Sequence, residues 1–241
     1  KTEAWLGGAE VLDKVKAIGK QYMEQYENIE GICISTAGMV DPEEGKIVFA
    51  GELMPDYTGT CIKKELEKTL GIPCEVENDV NCAGLAEYIS GAAKESHIMF
   101  CATVGTGIGG CAIVDGSVFH GASNSACEIG YIPMEDSDFQ TLGASSILIK
   151  KVAGKKREPL DMWDGKKIFE LAEKGDEVCI SAIKEMCDVL GKGLATICYV
   201  LNPDTIVLGG GVMAQKKILE NEIRDSLNRY LRPILAEHLQ V

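Results

Sequence analysis

The chain reads TVGTGIGG at residues 103–110, and this run decides the fold prediction. Its glycines alternate with other residues where an apolar strand predicted over 97–104 ends and a second strand begins. Because glycine lacks a Cβ atom, such a loop lets backbone N–H groups approach an anion closely, as in phosphate-binding loops. A plain glycine-rich hairpin has the same pattern and is slightly favoured when the run is taken alone. The run is not a dinucleotide-binding fingerprint, which needs a helix next.

Strands and helices alternate on both sides of this run, which is typical of a layered α/β protein. Upstream, the apolar periodicity predicts helices over 9–26, 61–70 and 80–89 and strands over 31–36, 46–50 and 74–76. Downstream, it predicts strands over 110–114, 117–120 and 205–208 and helices over 147–152, 165–174, 177–201 and 217–230. The pattern breaks at the small residues 90–95. We therefore predict an N-terminal lobe over 1–93 and a C-terminal lobe over 94–241.

A polar cluster, Glu77-Asn78-Asp79-Val80-Asn81, lies where a predicted strand ends and a helix begins. Ligands of α/β sheets bind at strand ends, and a carboxylate there could accept a proton from a substrate hydroxyl. Neighbouring amides could hold other hydroxyls. The alternative is a helix N-cap, since Asn or Asp before a helix satisfies its free N–H groups. On this cluster alone the N-cap is favoured.

Two further runs are candidates for binding. Glu128-Ile129-Gly130-Tyr131 follows a small-residue loop, although a lone glutamate is usually a solvated surface charge. Val207-Leu208-Gly209-Gly210-Gly211 ends an apolar strand in three glycines that could accept a flat ring against bare backbone. A tight strand-to-helix turn explains the second run equally well.

The composition excludes several classes of protein. The net charge of −13 would repel phosphodiester backbones, so we expect no nucleic acid to bind this segment. No apolar run approaches the ~18 residues of a membrane span, so we expect no membrane partner. The ten cysteines form no CxxC or CxC pair, which predicts core-filling thiols in the reducing cytoplasm and no zinc site.

Taken together and in this order, the runs resemble the ROK family, which groups sugar kinases with sugar-responsive repressors. The resemblance covers nearly the whole chain. It comprises Ala37-Gly38, the END-x-N motif of residues 77–81, the glycine loop, E-I-G with a following aromatic residue, and L-G-G-G at residues 208–211. Several ordered motifs are far more specific than one, so they reverse the preferences stated above for each motif alone.

The resemblance implies the two-lobed actin and hexokinase type of ATPase fold, with ribonuclease H-like lobes. It also implies an ATP-dependent kinase, with Mg²⁺ bridging the phosphates, that phosphorylates a hexose or hexoside hydroxyl, with Asp79 as the base. The sugar would be bound by Asn78, Glu128, Tyr131, Gly38 and Gln140. The phosphates would lie on Gly105, Thr106, Gly107, Gly109 and Gly110, and the adenosine near Gly209, Gly210 and Gly211. A homodimer is expected by the same resemblance.

The chain also departs from the family pattern. The D-x-G-G-T phosphate hairpin and the closing helix do not occur in it, so we expect a truncated chain that lacks its first strands and final helix. Tyr131 stands where many members have a histidine, and Gln140 stands near a family glutamate. Residues 136–143 lack the cysteines of the family's zinc loop, which is similar to the zinc-free subset. A sugar-binding transcriptional regulator without turnover is the competing hypothesis.

Overall fold

The computed structural model describes residues 2–241 of the chain. From the N-terminus, the first half of the element order runs α1 (Gly8–Gln25), β1 (Ile32–Thr36), β2 (Met39–Asp41), β3 (Lys46–Phe49), α2 (Ile62–Leu70), β4 (Cys74–Asn78), α3 (Asp79–Ser90), β5 (Ile98–Val104), β6 (Ile108–Val114) and β7 (Ser117–Val118).

The second half continues with β8 (Pro133–Met134), β9 (Ser137–Asp138), α4 (Phe139–Gly143), α5 (Ser145–Lys156), α6 (Gly165–Glu173), α7 (Glu177–Leu201), β10 (Thr205–Gly209), α8 (Lys216–Tyr230) and α9 (Pro233–Ala236). Short 3₁₀ helices form at Ala4–Leu6, Ile129–Tyr131, Leu160–Met162 and Gly211–Gln215. The predicted elements are all present, but the strand predicted over 117–120 ends at Val118.

The chain packs as two units. Unit 1 comprises the chain up to Cys82 together with His120–Ala126, and unit 2 comprises Ala83–Phe119 and Cys127–Val241. This division by packing falls within α3, whereas the lobes proposed from the sequence, 1–93 and 94–241, meet after that helix. Those lobe boundaries stay a prediction.

Unit 1 contains a parallel pair of strands, β1 and β4, in which Ile32 is opposite Cys74 and Thr36 is opposite Asn78. A separate antiparallel hairpin joins β2 and β3. Helix α2 buries one face through Ile62 and Leu66, whereas α1 buries Gly8 and Val11 and leaves Ile18, Tyr22 and Met23 exposed. The buried core of this unit consists of Val11, Val40, Ile47, Tyr57, Ile62, Leu66, Cys74 and Val76.

Unit 2 contains a four-stranded sheet in the order β10-β5-β6-β7. Strand β10 runs parallel to β5, while β6 and β7 are antiparallel to their neighbours. Helix α7 buries a long apolar stripe, as its periodicity predicts. The two glycines that interrupt it allow close packing, because a Cβ at Gly191 would overlap Ser226 and one at Gly193 would overlap the ring of Phe139.

All ten cysteines are free thiols, and six of them are buried. Burial is the behaviour expected of cysteine as a small hydrophobic residue. Within residues 2–241, no helix combines the length and apolar character needed to cross a membrane.

Candidate active site

The carboxyl ends of β1 and β4 lie side by side in unit 1 because the two strands are parallel and Thr36 is opposite Asn78. The turn after β1 contains Gly38, whose φ of 99° is a conformation that favours glycine. Strand β4 ends at Asn78, and α3 begins at the next residue. Residues 77–79 and Asn81 form what we call the strand-end cluster, at the edge of the sheet where α/β proteins bind ligands.

Asn78 connects the two strand ends. Its side-chain Oδ1 accepts hydrogen bonds from the N–H of Val80 at 2.8 Å and of Asn81 at 3.1 Å, which caps the first turn of α3. Its Nδ2 donates to the carbonyl oxygen of Gly38 at 2.9 Å. The N-cap is therefore Asn78. Its role in binding the sugar stays a prediction.

Because Asn78 performs the capping, the carboxylate of Asp79 is available for another role. Asp79 is the first residue of α3, and its side chain is exposed. Its Oδ1 accepts a hydrogen bond from the N–H of Val80 at 3.0 Å. Partial desolvation by the surrounding protein raises the pKa of this carboxyl above its ordinary value, although backbone N–H groups oppose the shift. A raised pKa makes a carboxylate a better proton acceptor.

Glu77 and His120 form a pair that the sequence analysis missed. The Oε2 atom of Glu77 lies 2.7 Å from the Nε2 atom of His120, and both side chains are largely buried, at 17% and 27% exposure. The Oε1 atom of Glu77 accepts hydrogen bonds from the N–H of Asn78 at 2.7 Å and from Nδ2 of Asn81 at 2.9 Å. Glu77 thus holds the strand end and the first turn of α3 together.

The glycine loop of unit 2, residues 105–107, joins β5 to β6, and two serines at the start of α5 fix its carbonyl groups. Ser145 donates to the carbonyl oxygen of Gly105 through its N–H at 3.0 Å and its Oγ at 2.6 Å. The Oγ of Ser146 donates to the carbonyl oxygen of Thr106 at 2.6 Å. In a trans peptide the N–H points opposite to the C=O. The N–H groups of Thr106 and Gly107 are therefore directed away from these serines.

Gly109 and Gly110 lie within β6, opposite Thr103 and Ala102. A Cβ at Gly110 would lie 2.7 Å from the carbonyl oxygen of Cys127 and 2.8 Å from Cζ of Phe100. Packing alone thus requires glycine at 110. The contribution of both glycines to phosphate binding stays a prediction.

The second glycine run lies beside the first within unit 2. Gly209 ends β10 opposite Thr103 of β5. Gly210 has a φ of 94°, and a Cβ there would overlap the backbone of Val104, the residue before the glycine loop. A Cβ at Gly211 would meet no atom within 4 Å. Two glycine runs about a hundred residues apart in sequence are thereby brought together at the carboxyl ends of β5 and β10.

The remaining predicted sugar residues also lie in unit 2. Glu128 precedes the 3₁₀ helix Ile129–Tyr131, and Tyr131 is 55% exposed, so its ring does not fill a core. Gln140 is in α4, and its Oε1 lies 2.8 Å and 3.0 Å from where Cβ atoms of Gly107 and Gly130 would be. The side chain of Gln140 therefore contacts both the glycine loop and the turn that contains Tyr131.

The residues fit a nucleotide better than a metal held by protein side chains alone. Bare backbone beside Gly105 and Gly211, where a Cβ would meet no atom within 4 Å, leaves room for a ligand, and the oriented N–H groups suit an anion. Among the described residues, no group of three or more His, Cys, Asp or Glu side chains could hold a metal ion. Mg²⁺ bound mainly through substrate phosphates needs few protein ligands.

Comparisons with known proteins agree with this chemistry. The model of the ROK family matches residues 8–240. Uncharacterized protein CPE0188 of Clostridium perfringens is 46% identical over 95% of this chain and 78% of its own length. The beta-glucoside kinase of Klebsiella pneumoniae is 32% identical over 86% of this chain and 72% of that enzyme. A ROK family glucokinase from Streptomyces griseus, solved with glucose and AMPPNP, is similar at 26% identity and a TM-score of 0.81, over 98% of this chain and 82% of that one.

The fold and these relatives define a phosphotransferase with an alcohol group as acceptor, of the sugar-kinase class. The chain belongs to the ROK family. The predicted α/β fold of the actin and hexokinase type is confirmed, as is the predicted function as an ATP-dependent sugar kinase.

Proposed function

We propose that the chain transfers the γ-phosphoryl group of ATP to a hydroxyl of a hexose or hexoside, with Asp79 as the general base. The assignment rests on the exposure, the pKa and the hydrogen bonding of the Asp79 carboxylate. Its carboxylate is exposed at paired strand ends, has a raised pKa, and is not the helix cap, a role that Asn78 performs.

In this mechanism the chain contributes positioning and proton transfer, as phosphoryl transfer requires. Asp79 accepts the proton of the acceptor hydroxyl. Asn78 and Gly38, linked by their 2.9 Å hydrogen bond, bind the sugar on the same strand ends. The N–H groups of Thr106 and Gly107 bind phosphate oxygens, and residues 209–211 bind the adenosine. Mg²⁺ held through phosphate oxygens on Thr106 and Gly107 would supply charge neutralisation for the transferring group.

The acceptor class follows from Glu128, Tyr131 and Gln140. Glu128 binds sugar hydroxyls, while the exposed ring of Tyr131 offers an apolar face for stacking on a sugar ring or an aglycone. The neutral amide of Gln140 both donates and accepts hydrogen bonds, whereas a carboxylate only accepts. We therefore propose that glycosides and disaccharides are accepted at least as well as free glucose. The beta-glucoside kinase relative supports this substrate class.

The test is a coupled assay of ADP formation with wild-type protein and a panel of free hexoses, β-glucosides and disaccharides. Sugar-dependent ADP release supports the kinase. Tight sugar binding by calorimetry without ADP release would instead support the regulator. We favour the enzyme, because the chain keeps both Asn78 and Asp79 and its named relatives include sugar kinases.

We also propose a cellular compartment and an oligomeric state. Ten free thiols favour a reducing compartment such as the cytoplasm. The homodimer and the absence of zinc, nucleic acid and membrane partners stay predictions. Size-exclusion chromatography with light scattering and elemental analysis test the homodimer and the zinc prediction.

A further inference from the structure

We propose that His120 is a positioning residue for phosphoryl transfer: it holds Glu77, and Glu77 holds the first turn of α3, from which Asp79 reaches the acceptor hydroxyl. The proposal rests on the proposed function of Asp79. His120 belongs to none of the motifs by which the chain resembles its family.

The carboxylate of Glu77 accepts three hydrogen bonds, and His120 is the donor that is most distant in sequence. One oxygen accepts from Asn78 and Asn81, and the other lies 2.7 Å from Nε2 of His120. An ionised carboxylate only accepts, so Nε2 of His120 carries the proton in this pair. Because both side chains are largely buried, at 17% and 27% exposure, water screens this contact less than it screens a surface ion pair.

The backbone around His120 supports the same role. The segment His120–Ala126 packs in unit 1, although the residues before and after it belong to unit 2. Gly121 and Asn124 have φ angles of 73° and 56°, and the N–H of Ala126 donates to the carbonyl oxygen of His120 at 3.1 Å. The segment thus folds back on itself and presents the imidazole to Glu77.

Loss of this contact should affect catalysis more than folding. The helix α3 keeps its Asn78 cap without His120, and Glu77 keeps two donors. Glu77 then loses its third donor, His120, which fixes the orientation of the Glu77 carboxylate and of the turn bearing Asp79. Misplacement of a reacting group by about 1 Å is enough to reduce a rate by about 10²-fold.

The kinetic experiment compares His120→Ala, His120→Gln and His120→Asn in the whole chain. The amide nitrogen of Gln reaches the position of Nε2, whereas that of Asn is too short. We expect Ala and Asn to lower kcat by about 10- to 100-fold, with little change in the KM for ATP, and Gln to restore most of the rate. His97→Ala is the matched control, because His97 is 88% exposed and pairs only with the surface residue Asp115 within the described chain.

The double substitution Asp79→Asn with His120→Ala separates positioning from general damage. If His120 acts through Asp79, its replacement lowers the residual rate of the Asp79→Asn variant by less than about 3-fold, since coupled residues are not additive. An equal loss in both backgrounds, an unchanged kcat in His120→Ala, or a Gln variant as poor as the Asn variant would each overturn the proposal. Should His120→Ala not fold, the comparison of Gln with Asn decides.

Hydrogen exchange provides a measurement that does not depend on turnover. We expect the amides of Val80 and Asn81 to exchange faster in His120→Asn than in wild type, and at the wild-type rate in His120→Gln and His97→Ala. If the wild-type chain phosphorylates no sugar, the proposed function fails, while this measurement still tests the contact. Unchanged exchange at the start of α3 would show that His120 does not hold it.

Discussion

The strand-end cluster of unit 1 and the glycine loop of unit 2 differ in the groups that they offer to a ligand. The cluster is built from side chains: Glu77 and Asn78 bond to the backbone and to Asn81, while the exposed carboxylate of Asp79 accepts from backbone N–H groups at the start of α3. The loop is built from backbone, with its carbonyl groups fixed by Ser145 and Ser146. A proton acceptor needs one free reactive atom, whereas an anion cradle needs several N–H groups with a common direction. Substitutions should therefore reduce rate in the first region and binding or stability in the second.

The largest effect is expected for Asp79→Asn. General-base loss costs about 10²- to 10⁴-fold in kcat, while the amide oxygen still accepts from Val80. Steady-state kinetics with a preferred sugar measures the loss. Asp13→Asn, an exposed acid on α1, is the control and should keep the wild-type rate. A near-normal rate in Asp79→Asn would contradict the base assignment.

The Asp79→Asn variant should also differ from wild type in the pH dependence of its activity. Activity should fall as pH decreases through the pKa of Asp79, which lies above the ordinary 3.8, and this acid limb should disappear in Asp79→Asn. The contribution of Asp79 to the free energy of unfolding changes with pH in the opposite direction to its contribution to activity. The raised pKa means that the native state holds the proton more tightly than the unfolded state, so this group favours folding more as pH falls through its native pKa. Replacement by Asn should therefore not destabilise the protein at neutral pH.

Gly210→Ala tests whether the second glycine run, residues 209–211, is limited by backbone geometry. Its φ of 94° and the overlap with Val104 predict a loss of about 1–3 kcal/mol in the free energy of unfolding. Gly211→Ala is the matched control, because a Cβ there meets no atom within 4 Å and should be tolerated. Denaturant unfolding of both variants measures the difference. Equal midpoints would show that the close approach of Gly210 to β5 is not required.

These regions also show what the sequence could and could not predict. The helix over 177–201 was predicted at its observed bounds because a long apolar stripe repeats at helical spacing. The strand end before Asp79 was predicted from the sequence, and β4 does end at Asn78, whereas the role of Asp79 as the base came from the family resemblance and stays a prediction. His120 was missed because its partner Glu77 is 43 residues away and the local pattern indicates a strand. Ser145 and Ser146 were missed for the same reason, being 40 residues from the carbonyl groups they hold. Helix α4 has only five residues, too few for a periodicity to appear.

Ser146→Ala and Ser145→Ala test how strongly each serine holds the carbonyl groups of the glycine loop. The Oγ of Ser146 donates to Thr106, whereas Gly105 accepts from both the N–H and the Oγ of Ser145. Ser145→Ala keeps the N–H donor, so Ser146→Ala should have the larger effect, about 0.5–1.5 kcal/mol for one hydrogen bond. We therefore expect Ser146→Ala to raise the KM for ATP several-fold and to leave kcat nearly unchanged. A fall in kcat alone would contradict a role in orienting the phosphate-binding N–H groups.

The smallest effect is expected for Tyr131, and it concerns the choice of sugar. If this exposed ring binds the sugar as predicted, it should favour a β-glucoside over glucose through stacking, and aromatic contacts of this kind are worth about 0.5–1.5 kcal/mol. Tyr131→His should therefore lower the ratio of kcat/KM for the β-glucoside to kcat/KM for glucose by about 2- to 10-fold. The ratio is the right measurement, because damage to folding or to the base cancels between the two sugars. Tyr26→His, at an equally exposed tyrosine on the turn after α1, should leave it unchanged. A strong preference for free glucose that Tyr131→His does not alter would show that this ring does not select the substrate.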